Sequence, residues 1–146
     1  MEGRSKDIKM FVEQFRRANL TLMVVQNDSM VYSSRDEGLL PLIDAIESGK
    51  GYLRNALVFD KVVGRAAALL FCHGKSRHVF ADLMSVRALE IFDIYGIKYV
   101  YDLLVPHILN VDSTDLCPFE KLVEDVSDPE VGYRLISKEL RLMQNN

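Results

Sequence analysis

The chain has 146 residues, 49% of them hydrophobic and 27% charged, with a formal net charge of -3. A chain of this length buries about 68–70% of its unfolded surface, so residues 1–146 are expected to form a single domain without disulfide or metal staples. Dispersed Lys and Arg exclude nucleic acid and anionic membranes as default partners, two cysteines are too few for a disulfide framework, and no apolar run approaches the roughly 18–20 residues of a membrane span.

Ile8, Phe11, Val12 and Phe15 recur at i, i+3, i+4 and i+7, the spacing of one apolar helix face. Residues 20–26 and 30–34 are β-rich and flank Asn27-Asp28-Ser29, which predicts a hairpin. Leu39, Leu40, Leu42, Ile43 and Ile46 form a short helix with Pro41 near its start, and Gly49-Lys50-Gly51 ends it. Residues 55–60 predict a short strand, and Gly64 opens a helix over 65–72. Three alanines followed by large apolar residues suit a helix packed closely against a sheet. Residues 79–84 predict a strand. Ser85 reads as the N-cap of a helix over 86–95, with Gly96 as its stop. Residues 99–105 form a further strand before Pro106. Pro118 opens a helix to about residue 126, and Asp128-Pro129 starts a last one to about residue 142.

Helices alternating with strands imply an α/β protein, a three-layer α/β/α sandwich with a mixed sheet and crossover helices on both faces. Ligands of such sheets bind where strands end and helices begin. That edge holds residues 60–65, Ser85 and the loop carrying Cys117. The polar start, Met1-Glu2-Gly3-Arg4, has no apolar stretch behind it. With the free thiols, this points to a cytoplasmic protein.

Three strings are distinctive: Asp60-Lys61-Val62-Val63-Gly64-Arg65-Ala66-Ala67-Ala68, Ser85-x-x-Ala88 and Cys117-Pro118-x-Glu120. With this spacing the chain resembles, from about residue 20 to residue 126, a small family of uncharacterised prokaryotic proteins with a cytidine-deaminase-like fold. The resemblance implies a fold and no reaction. Arg65 stands where that family is expected to carry Lys, which keeps the charge and changes its geometry. Zinc deaminases carry H-x-E at one helix start and P-C-x-x-C at the next. Gly64-Arg65-Ala66-Ala67 and Ser85-Val86-Arg87-Ala88 supply no His, Cys or Glu there, so no metal site is expected.

Helix N-termini present unpaired N–H groups and about half a positive charge. Helices starting side by side after Gly64 and Ser85 would therefore suit an anionic or nucleotide-like small molecule, with Asp60, Lys61, Gly64, Arg65, Ser85 and Glu120 lining its site. Gly64 reads equally well as a close-packing residue and Lys61 as a solvated one. For Asp60, a helix-start cap or ion-pair role outweighs an acid/base role. Cys117 precedes Pro118 at a helix start, where a thiol can act as a catalytic nucleophile, although a free cysteine is more often a small buried hydrophobe. Three functions compete: zinc-independent binding of an anionic small molecule, a metal-independent enzyme using Cys117, and a homo-oligomeric interaction module.

Overall fold

The computed structural model describes residues 2–145. Strands β1 (Leu22–Gln26) and β2 (Ser29–Ser34) form the expected antiparallel hairpin. Asn27 and Asp28 take positive φ, 49° and 64°, the left-handed conformation that short polar side chains tolerate and tight hairpins need. β3 (Leu57–Val63) pairs antiparallel with β1, while β4 (His78–Ser85) and β5 (Lys98–Val105) follow it in parallel. The result is one mixed sheet of five strands in the order β2-β1-β3-β4-β5.

Two apolar clusters divide the sheet faces. On one face, Phe11 and Phe15 of α1 (Glu2–Arg17) pack on Met23, Val25, Phe59 and Phe80. The Phe59 and Phe80 rings stack with centroids 4.8 Å apart. Burying an aromatic or aliphatic side chain of this kind contributes about 1.5–3 kcal/mol. The other face carries the larger cluster, built with α2 (Leu40–Glu47), α3 (Arg65–His73), α4 (Val86–Tyr95), α5 (Pro118–Leu122) and α6 (Pro129–Gln144).

Both crossover helices, α3 and α4, thus lie on the same face, not one on each as the sequence reading expected. The chain steps in one direction from β3 to β4 to β5, and two right-handed crossovers in one direction put both helices on one side. A second difference concerns β3, which continues through Lys61 and Val62 to Val63. Asp60 is therefore a strand residue rather than a cap at a helix start.

Local signals explain the ends of the helices. The Ser85 hydroxyl accepts from the Ala88 N–H at 3.1 Å, and Asp128 accepts from Glu130 and Val131. Gly96 closes α4 at φ 72°. In α6, Gly132 lets the helix approach α3, since a Cβ there would lie 2.9 Å from the Leu69 Cδ1. No helix among the described residues is long and apolar enough to cross a membrane.

Candidate functional site

A cavity of about 400 Å³ opens beside the carboxyl end of β3. Its floor is Leu22, Asp60, Ala66 and Ala67, and its walls come from the segments around Gly38, Leu42, Ile108 and Phe119. The alanines of α3 account for the space, because their short side chains leave a gap between helix and sheet that larger ones would fill. The run Arg65-Ala66-Ala67-Ala68 thus packs closely against the sheet and, at its first turn, also leaves a hole.

Asp60 faces this cavity from β3, paired across the sheet with Leu22 and Ala81. Its apolar surroundings strip water from the carboxyl and push its pKa up to about 7. Contacts with the Val62 and Lys61 backbone N–H groups pull the other way, and the charge of Asp82 adds to the rise. The carboxyl can therefore hold or release a proton near neutral pH, the property expected of a proton-exchanging group at a site.

The starts of α3 and α4 are already filled by the protein itself. Glu120, buried in α5, accepts from the Arg65 N–H through Oε1 and from the Ala66 N–H through Oε2, both at 2.8 Å. A carboxylate on the first N–H groups of a helix satisfies both the orphan donors and the dipole. At α4 the fully buried Ser85 is the cap and lies outside the cavity. An anion held at paired helix N-termini is thus corrected: Glu120 takes the place that the sequence reading assigned to a ligand.

Gly64 belongs to the same arrangement. A Cβ on it would lie 2.7 Å from the Glu120 Cδ and 2.8 Å from the Ile108 Cγ1. The glycine makes room for Glu120, not for a ligand. Arg65 turns away from the cavity. Its Nε donates to the Val123 and Val126 carbonyls at 3.1 and 3.0 Å, and its terminal nitrogens reach Glu90 and Ser127. Arg65 thereby fastens α3 and α4 to the segment between α5 and α6, a role that needs the planar fork of Arg.

Of the residues singled out in the sequence, Asp60, Lys61, Gly64, Cys117 and Glu120 line the cavity, while Arg65 and Ser85 do not. Among the described residues Lys61 is the one basic side chain in the lining, and its Nζ donates to the Asn19 Oδ1 at 3.1 Å. Cys117 is partly buried and unpaired, and no histidine lines the cavity with it. Thr21, Asp36, Glu37 and Gly38 also belong to the lining and were missed. For Asp36, Glu37 and Gly38 the signal was the short charged run Arg35-Asp36-Glu37-Gly38 between a strand and a helix. Among the described residues the lining includes four acidic residues, Asp36, Glu37, Asp60 and Glu120, and one lysine, a balance that disfavours anions.

Among the described residues, no group of three or more His, Cys, Asp or Glu side chains is placed to hold a metal ion. The starts of α3 and α4 carry no zinc ligand either, so the donor set does not fit the zinc of a deaminase.

Residues 10–140 match the family described as "TM1506: Domain of unknown function (DUF1893)". The chain is also similar to the crystal structure of a DUF1893 family protein (TM1506) from Thermotoga maritima. The two share 31% identity and a TM-score of 0.85, over 92% of this chain and 90% of that one. No curated protein matches the chain.

Proposed function

The chain belongs to the DUF1893 family, a domain of unknown function, and from that premise we propose that its cavity binds a compact neutral or cationic molecule bearing N–H donors. The observation that carries this reading is the Asp60 carboxyl, desolvated at the floor of a largely apolar cavity that is large enough for a small molecule and whose charged residues are mostly acidic. A half-buried, desolvated carboxyl of this kind is costly unless something pairs with it, and a ligand amine or amidine would do so. Asp60 is the recognition and proton-exchanging residue, and Lys61, Thr21 and Cys117 are further contacts. We keep the cytidine-deaminase-like fold as part of this reading, without zinc chemistry; the hairpin leading into three parallel strands supports it. The two unpaired cysteines support a reducing, cytoplasmic setting. The presence of Cys117 in the same lining favours a second reading, in which its thiol attacks an electrophilic ligand.

Benzamidine and inorganic phosphate test the charge preference, by calorimetry at about pH 6 and about pH 8. A cation prefers the ionised carboxylate, so benzamidine affinity should rise with pH through the Asp60 titration, by at most about tenfold per unit. It should fall at least about tenfold in Asp60→Asn. Phosphate binding in preference to benzamidine, or benzamidine binding indifferent to Asp60→Asn, would overturn the reading.

A further inference from the structure

We propose that the free edge of β5 is the surface on which a second copy of this chain docks, joining two sheets across a two-fold axis at Val100. β5 is an outer strand of eight residues. Val100 is 49% exposed and Leu103 59%, with Ile94 of the adjoining α4 at 61%. Proteins usually blunt such edges with bulges, prolines, short strands or charged side chains, because unpaired backbone groups invite another strand, and the two charges of β5, Lys98 and Asp102, are of opposite sign. The opposite edge is blunted: β2 reads Ser-Met-Val-Tyr-Ser-Ser, and its pairing with β1 shifts register between Val24 and Val25. β5 has no proline, and its register against β4 stays constant along its length.

The backbone limits how two such edges can meet. The Lys98 N–H donates inward to the Arg77 carbonyl, so by alternation the N–H groups of Tyr99, Tyr101 and Leu103 point outward. In an antiparallel pair these residues form the hydrogen-bonded rows, and Lys98, Val100 and Asp102 form the rows with closer side chains.

Side-chain charge then selects the register. With the axis at Val100, Lys98 of each copy faces Asp102 of the other, and Tyr99 faces Tyr101. With the axis at Asp102, two carboxylates would face each other, and like charges directly opposite are unfavourable. With the axis at Tyr101, Lys98 would face Leu104 and lose its partner. Lys98 makes no ion pair within the chain among the described residues. Asp102 already meets Arg16, which also reaches Asp82 on the α1 face, so the second copy's Lys98 would extend an alternating row of charges. A two-fold contact of this kind is self-complementary and closed, so it ends at the dimer.

Sedimentation velocity on the full chain tests the proposal. The wild type should sediment as a dimer. Val100→Lys, which places like charges across the axis on an exposed side chain, should weaken association by about tenfold or more while leaving the circular dichroism unchanged. Val100→Cys should cross-link on mild oxidation, whereas Tyr101→Cys, which faces position 99, should not. A wild-type monomer at the highest soluble concentration, a dimer indifferent to Val100→Lys, or cross-linking through Tyr101→Cys instead would overturn it.

Discussion

Asp60→Asn is expected to make the protein more stable at about pH 8, by up to about 4 kcal/mol. The sign follows from proton linkage. The folded carboxyl has its pKa raised to about 7 by desolvation, against roughly 3.9 when unfolded. Below about pH 4 both states are protonated and Asp60 costs nothing. Between about pH 4 and pH 7 the folded state binds the extra proton, so stability falls as pH rises. Above about pH 7 the full cost of a desolvated carboxylate is present. Water at the mouth of the cavity reduces this figure, which is therefore an upper bound. The asparagine variant carries no such cost, so wild type and variant should converge near pH 4 and separate through pH 7. For a chain of this size each kcal/mol moves the melting temperature by roughly 2–4 °C. Matched thermal melts across that range give the comparison, and a variant less stable than wild type at about pH 8 would count against the account. A residue kept at a cost to stability is expected at a functional site, where activity and stability trade against each other.

Glu120→Ala is the second large effect, in the opposite direction, with an expected loss of about 3–5 kcal/mol in urea denaturation. It removes two charge-assisted hydrogen bonds and leaves the Arg65 and Ala66 N–H groups without acceptors in a buried position. Gly64→Ala should act through the same contact, since its Cβ would push the carboxylate off the helix. The two changes should therefore be less than additive, as neighbours sharing one interaction are. Phosphate should partly restore the stability of Glu120→Ala and leave the wild type unchanged, because only the variant exposes the N–H pair to an added anion. Additive losses, or equal phosphate effects on both proteins, would mean that Glu120 does not occupy the helix start in the way described.

These two residues also mark where the sequence stops being informative. The hairpin, the Ser85 and Asp128 caps and the Gly96 stop were legible because each rests on neighbours within a few positions. The boundary of β3 was not, because Asp60-Lys61 looks like the end of an apolar run. In the sheet those residues can be charged, since Lys61 reaches Asn19 and Asp60 opens on the cavity. Gly64 and Arg65 marked the right helix start with the wrong purpose. Their partners, Glu120 and the Val123 and Val126 carbonyls, lie more than fifty residues along the chain, a separation that spacing rules do not see. The acidic wall from Asp36 and Glu37 went unnoticed for the same reason. It reaches the site only because β1 inserts between β2 and β3 and carries the loop after β2 to the end of β3.

The central claim is that Asp60 sits in a ligand cavity as a carboxyl poised near neutral pH. Titration of its side-chain carboxyl carbon by NMR, assigned by comparison with Asp60→Asn, tests this directly. A midpoint near pH 7 that moves down when benzamidine is added is expected. A midpoint near the ordinary carboxylate value of about 4, unmoved by benzamidine, would contradict it.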